Sequence, residues 1–469
     1  MKKSSMPADS DRRRFLGQAA CAGISCTPMF STLLNLALAG RVSAQSLSTL
    51  SGGGDYRALV CLFLGGGNDS YNMLVPRSGE AYNEYAASRQ GLAHPAADLL
   101  PLGAAGAHHP ELGLHPSMPE LKALYDAGRA AFIANVGTLI QPVTLAEYKK
   151  KKSLPLGLFS HSDQSQQWMT SVPDRRTDSG WGGRASELLR GLNPDAKVSM
   201  NISLSGVNTF QSARSSFQYC ITPNGSVGLK SLEPNQGARV FESAAVRSML
   251  DQQYKSLFEQ TYVNTTKDAI AAHEFFSSAV SPVKLKTVFP DTQTGRTLRM
   301  VARTIGAHGS LGLRRQTFFI NRGGWDHHSE VLDNQKTMLA EISGAIGAFM
   351  AAMDELGMAN DVVLFTASDF GRTLTSNGRG SDHAWGGNQF VVGGPVKGGA
   401  IYGHYPSLAL KSDFDTGQGR LIPGLSVDQY SAEMALWLGV SPGDLTTVLP
   451  NIKTFHDPQS STPPLGFLL

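Results

Sequence analysis

Two short apolar runs that each stop at an acidic loop constrain this chain more than any other feature. Gln316 to Asn321 (QTFFIN) and Val362 to Thr366 (VVLFT) are β-branched and aromatic stretches of strand length. The first runs into Gly323-Gly324-Trp325-Asp326-His327-His328, the second into Ser368-Asp369-Phe370-Gly371-Arg372-Thr373. Between them Leu332, Met338, Leu339, Ile342, Ile346, Phe349 and Met353 recur at helical spacing and end at Gly357, which predicts a helix over Leu332 to Leu356. A strand, a crossover helix and a second parallel strand put both acidic loops on one edge of a sheet. Open α/β sheets keep their sites at that carboxyl edge. Ser381-Asp382-His383 follows shortly after, and Asp and His crowd together in this way chiefly to bind a cation or to move protons.

Ala58 to Leu64 (ALVCLFL) reads as a third buried strand, ending at Gly65-Gly66-Gly67-Asn68-Asp69-Ser70. Glycines there permit tight turning and close backbone approach to a ligand or ion; the plain alternative is an ordinary strand-exit turn. Ser117 with Glu120 reads as a capping box opening a helix to Gly128, followed by a core strand at Ala131 to Val136. His108, His109 and His115 lie in the loop before that helix and are left outside the site. Ser160-His161-Ser162-Asp163 then heads a probable helix, where a nucleophile would face an anion; the bland reading is a Ser/Asp cap. Arg184 opens the next helical pattern and is a candidate for holding a phosphate-like group. Residues 201–310 carry strand-like pieces and a long helical stretch around Ser243 to Ser278, read as an insertion. Gln389 to Val392 reads as a further strand and Val427 to Leu438 as a late helix.

The balance of 41 basic against 38 acidic residues gives no polyelectrolyte signature, so nucleic acid is not an expected partner. Arg12-Arg13-Arg14-Phe15-Leu16, a moderately apolar stretch and Val42-Ser43-Ala44 fit a twin-arginine leader cleaved after Ala44. Its interruption by Ser, Thr, Pro and Asn argues against an uncleaved membrane anchor. The mature chain, residues 45–469, then keeps only Cys61 and Cys220, at most one disulfide, with Cys61 inside an apolar strand. Export to the periplasm or beyond, passage through the twin-arginine translocase and no stable membrane span in the mature chain are the expectations. No internal repeat or low-complexity linker cuts the mature chain, which favours one domain.

With these motifs assembled, the chain resembles the twin-arginine-exported family catalogued as domain of unknown function 1501, grouped with the alkaline phosphatase and sulfatase superfamily. The carriers are Gly65 to Asp69, Leu114-His115-Pro116 with Leu124-Tyr125, Phe159 to Gln164, Gly180-Trp181-Gly182-Gly183-Arg184, Gly323 to His328, Ser368 to Thr373 and Asp382 to Gly387. The resemblance implies an α/β, alkaline phosphatase-like fold: a mostly parallel central sheet with helices on both faces. It also implies one or two divalent metal ions, zinc, calcium or manganese, held by Asp69, Asp326, His328, Asp369 and His383, acting on a small anionic or ester substrate. Phe370 stands where active phosphatases carry a histidine, so that ligand is either missing or supplied by Asp382 or His327. The nucleophile is open between Ser160, Ser162 and Ser70, with His161, Arg184 and Arg372 as the other candidate catalytic groups and Asp382 as a carboxylate to orient His383. Ser171-Val172-Pro173-Asp174-Arg175 fits the bare formylglycine-sulfatase pattern, but not at the head of a clear helix. The expectation is a metal-dependent phosphoester hydrolase; the alternatives are a degenerate member serving as an envelope binding or assembly factor, and acids that merely cap helices.

Overall fold

The computed structural model describes residues 56–103, 109–229 and 238–468. The twin-arginine stretch and the cleavage site after Ala44 lie outside them. Among the described residues the chain forms two compact units, one within residues 226–277, the other made of residues 56–225 with 278–468. Among the described residues the smaller unit holds the helix Ala238–Leu250 and most of the helix Leu257–Val280, two elements where the sequence suggested one long stretch. The 201–310 segment also supplies strands to the larger unit's main sheet.

The strands are β1 (Arg57–Leu64), β2 (Leu74–Pro76), β3 (Leu100–Pro101), β4 (Leu112–Leu114), β5 (Ala130–Gly137), β6 (Asn201–Ser203), β7 (Gln218–Cys220), β8 (Arg315–Asn321), β9 (Val362–Ser368), β10 (Gly387–Gly393), β11 (Ala400–Tyr402) and β12 (Leu425–Ser426). Nine of them form one sheet in the order β11-β5-β10-β9-β1-β8-β6-β7, with β12 on β5, and β2, β4 and β3 form a small separate sheet. In the large sheet every pairing is parallel except those of β10, which runs antiparallel to both β5 and β9. Every residue of β5, β9 and β10 is buried, and in β1 all but the first. Such unbroken burial is what a sheet covered on both faces produces. Cys61 and Phe63, with Phe365 and Ala367, face Trp168, Trp181 and Tyr430 from the flanking helices.

Register then fixes the site. Phe63 pairs with Asn321 and Leu64 with Ser368, so β1, β8 and β9 end level with one another. The crossover helix spans Val331–Glu355, and β1 sits between the two strands it connects. Because β10 is antiparallel, the residues just before it, His383 among them, lie at that same edge. One local expectation is corrected: the helix Pro119–Asp126 opens on Met118 with Pro119 in its first turn and no side-chain cap. The helix starts one residue later than a Ser117 cap would require, with Pro119 preset for its first position, and the Glu120 carboxylate accepts from Ser343 Oγ at 2.8 Å instead.

Candidate metal centre

Three loops and the start of a helix meet at this edge. The β8 exit brings Asp326 and His328, the β9 exit brings Asp369, Phe370 and Arg372, the approach to β10 brings Asp382 and His383, and the helix His161–Thr170 brings His161 in its first position. Asp326, His161 and His383 each present a donor atom, all within 4.8 Å of one another. His161 Nε2 is 3.4 Å from Asp326 Oδ2. His383 Nε2 is 3.3 Å from Asp326 Oδ1. His328 adjoins this trio, its Nε2 3.0 Å from His383 Nε2 and 3.0 Å from Asp326 Oδ1.

Each imidazole is held by its other nitrogen. His161 Nδ1 lies 2.5 Å from Asp369 Oδ2. His328 Nδ1 lies 3.1 Å from Asp382 Oδ1, and His383 Nδ1 lies 2.9 Å from the Phe159 carbonyl. A carboxylate or carbonyl accepts only, so each Nδ1 carries a proton, and in the neutral imidazole Nε2 is left with its lone pair on the Asp326 side. An imidazole whose second nitrogen donates to a carboxylate or backbone carbonyl is the usual arrangement of a metal-ligating histidine. The spacings also fit: bonds of 2.0–2.1 Å to a tetrahedral ion set its ligands about 3.3 Å apart. The residues present therefore suit a divalent cation, and His161, Asp326 and His383 form a candidate metal site with His328 beside it.

The backbone around these groups is built for close approach. Gly66 has φ +121°, and a Cβ there would come within 2.5 Å of the Asp326 nitrogen. That leaves Gly66 N–H free to donate to Asp369 Oδ1 at 3.2 Å. Phe159 has φ +73°, a strained value for an aromatic residue, and the turn it makes aims its carbonyl at His383. Burial by itself would raise the Asp326 pKa, but the Arg372 hydrogen bond at 2.7 Å, the Arg372 charge and the neighbouring His328 and His161 outweigh it and hold the carboxylate below its ordinary range. Burial lowers the His383 pKa, partly opposed by the bond to Phe159, which favours the neutral imidazole a metal requires. The Asn377 amide is the main influence holding Asp382 low, ahead of His328.

The candidate residues divide sharply. Asp326, His328, His383, His161 and Asp369 come together, with Asp369 engaged by His161. Asp69 does not join them: its carboxylate is fully buried, 2.5 Å from Arg89 Nη2, and accepts from Ser381 Oγ at 3.2 Å. Arg372 is fully buried, bonded to Asp326, Ser381 and Gly66, with no face left for an anion. Arg184 spends its guanidinium on the carbonyls of Val448, Ser179 and Thr170, and burial lowers its pKa to about 10. Ser160 caps the helix through Asp163 N–H, while Ser162 is exposed with its Oγ 3.1 Å from that of Ser160. Ser70 is buried and accepts from Asn388 N–H at 2.7 Å. Phe370 is also buried, its ring 4.8 Å from His161 and 4.6 Å from His383, so it forms a wall of the site. Neither Asp382 nor His327 fills its place: Asp382 holds His328, and the buried His327 is not one of the residues whose donor atoms converge with Asp326. Instead the additional imidazole comes from His161, across the site.

Among the described residues no helix is long and apolar enough to cross a membrane. Comparison with curated proteins finds no significant match. Solved structures to which this chain has a distant similarity include the lipoteichoic acid synthase LtaP from Listeria monocytogenes, at 8% identity and TM-score 0.32, covering 84% of this chain and 75% of that one. Ps i-CgsB in complex with k-i-k-neocarrahexaose follows at 11% identity and TM-score 0.31, covering 87% and 78%. A protein titled BT33494S-sulf, from the glycosaminoglycan metabolism of bacteroides thetaiotaomicron, stands at 12% identity and TM-score 0.31, covering 85% and 74%. None of these distant likenesses says what this chain acts on. The family model described as "Protein of unknown function (DUF1501)" matches residues 56–446, and the chain belongs to that family.

Proposed function

We propose that this protein is an exported, metal-dependent hydrolase acting on phosphate esters. The observation that carries the reading is the convergence of His161, Asp326 and His383 on one point, each histidine's second nitrogen already held. A divalent ion bound there supplies Lewis acidity toward an ester oxygen. The chain's own residues do the rest. Asp369 and the Phe159 carbonyl fix the two imidazoles in the tautomer that leaves Nε2 open. Arg372 keeps Asp326 ionised and immobile. Phe370 covers one side and excludes water from the imidazole faces. Ser162, exposed at the head of its helix, is the hydroxyl best placed among the candidates to meet a substrate, with Ser160 oriented beside it. Passage through the twin-arginine translocase, read from the leader, places the reaction in the periplasm or outside the cell.

The test is elemental analysis of the exported protein followed by turnover of nitrophenyl phosphate, bis-nitrophenyl phosphate and nitrophenyl sulfate, with Asp326→Ala as control. Phosphate-ester turnover that needs the metal and disappears in the control is the expected result. Bound metal with no turnover of any ester points instead to an envelope binding or assembly factor, a reading favoured because Ser160 is spent on its helix cap, Ser70 on Asn388, and Ser162 only adjoins Ser160.

A further inference from the structure

The site as described has imidazoles and carboxylates but no evident group to receive a negatively charged substrate. Arg372 is buried against Asp326, Arg89 against Asp69, and Arg184 is consumed by carbonyl groups. One further guanidinium borders the site. Arg420 donates from Nε to the carbonyl of His383 at 2.8 Å, and its guanidinium carbon lies 5.3 Å from the centre of the Phe159 ring. Both neighbours belong to the site, since the Phe159 carbonyl holds His383 Nδ1. Arg420 stands on a loop closed by its own hydrogen bonds: Thr416 N–H donates to the Arg420 carbonyl at 2.9 Å and Arg420 N–H to Gly417 at 3.1 Å. Asp415 and Leu421 are bridged across the same turn. Among the described residues it has no carboxylate partner, and the side chain is only half-buried.

We propose that Arg420 is the anion-recognition residue of this site, binding the non-bridging oxygens of a tetrahedral oxyanion group while the imidazole cluster engages the scissile side. This rests on the hydrolase reading for its setting, though binding can be read without turnover. With Nε pinned to His383, the two terminal nitrogens remain as a fork, the geometry that matches a phosphate or sulfate edge. Stacking on Phe159 holds the plane of the fork and excludes water from one face. The residue is thereby pre-positioned, and an anion gains its full hydrogen bonds without paying to order a long side chain.

The experiment is titration of inorganic phosphate, and separately inorganic sulfate, into the full exported chain, with and without zinc, by calorimetry. Arg420→Gln and Arg420→Lys are compared with the parent protein, and metal content and thermal unfolding are measured for each. Arg420→Gln is expected to weaken binding by about 10- to 100-fold, as loss of charge-assisted hydrogen bonds does, with metal content unchanged. Arg420→Lys should recover part of the loss, because the charge returns without the fork. The phosphate and sulfate arms show which oxyanion the fork prefers. Unchanged anion affinity in a folded Arg420→Gln overturns the proposal, as does a parent protein that binds neither anion. Failure to hold metal is a separate outcome: it counts against the hydrolase reading, while the Arg420 effect is still read in the zinc-free arm.

Discussion

His328 and His383 face each other Nε2 to Nε2 at 3.0 Å, and each has its Nδ1 committed to an acceptor, Asp382 Oδ1 and the Phe159 carbonyl. Two lone pairs at that distance repel unless a cation or a proton lies at their junction, and Asp326 Oδ1, 3.0 Å from His328, adds a third acceptor there. The contact therefore stores affinity for a positive charge. His383→Ala removes one donor and releases its neighbour, so zinc affinity is expected to fall by at least about 100-fold, more than loss of an outer partner produces. Asp369→Asn tests the outer partner itself. It keeps the shape but weakens the hold on His161 Nδ1, and the expected loss is about 10- to 100-fold. Competitive titration against a chromogenic chelator measures both, and equal affinity in all three proteins would remove the metal site.

Asp69 and Arg89 make a second, separate prediction. Both are fully buried, and Arg89 also donates to the Thr373 carbonyl at 2.9 Å. Removing one partner of such a pair leaves the other charge desolvated, so Asp69→Ala is expected to lose about 3–5 kcal/mol of stability in urea unfolding. Because the Asp69 carboxylate belongs to Arg89, zinc affinity of the folded fraction should stay near the parent value. If Asp69 ligates the ion as the family resemblance implies, affinity falls with stability, and the two measurements together separate the cases.

The difference between these clusters also shows what could be read from residues alone. The β1, β8 and β9 strands and the helix between β8 and β9 were legible because hydrophobic periodicity is local and each run ended in turn residues. That the Asp326 and Asp369 loops would share one edge followed from topology, whereas His383 was assigned there only by the family resemblance, since nothing local marks β10 as antiparallel. Asp69 had the same local appearance as Asp326, an acid at a strand exit, and what distinguishes them is Arg89, 20 residues on in a helix where an arginine looks like a solvated one. A buried ion pair leaves no mark on sequence periodicity. His161 was visible as chemistry but not as a partner of Asp369, since that contact spans 208 residues and depends on where a loop folds back. Phe370, read as a missing ligand, is a wall whose ring packs on the imidazole that comes from elsewhere.

Gly66 offers a backbone test of the same edge. Its φ of +121° is open to glycine, and a Cβ would stand 2.5 Å from the Asp326 backbone nitrogen and 2.9 Å from Trp325. Gly66→Ala is thus expected to cost about 1–3 kcal/mol for the backbone alone and to displace Asp326, lowering zinc affinity as well. Gly378 is the comparison: its φ is +114° but nothing lies within 4 Å of a Cβ there. Gly378→Ala should show the backbone cost without the loss of metal, so the pair of melting curves and zinc titrations distinguishes strain from steric displacement.

Asp428 couples the far end of the same helix to pH. His161 begins the helix that ends at Ser171, a residue in the left-handed region at φ +53°, and Ser171 Oγ donates to Asp428 Oδ1 at 2.8 Å. Burial pushes the Asp428 carboxyl up from its ordinary 3.8 to about 7, against the lowering influence of Ser171, Asn451 and the Arg184 charge that faces it. Between those two values the unfolded chain has released a proton that the folded chain retains, so stability falls as pH rises through that window and levels off above about 7. Asp428→Asn keeps an acceptor for Ser171 and has nothing to titrate. Comparing urea unfolding of the two proteins from pH 4 to pH 8, the variant should gain on the parent as pH rises, by up to about 4 kcal/mol, and then hold a constant lead. A difference that stays flat across the range would mean that Asp428 ionises as readily inside the fold as outside it, and that Arg184 compensates its charge in full.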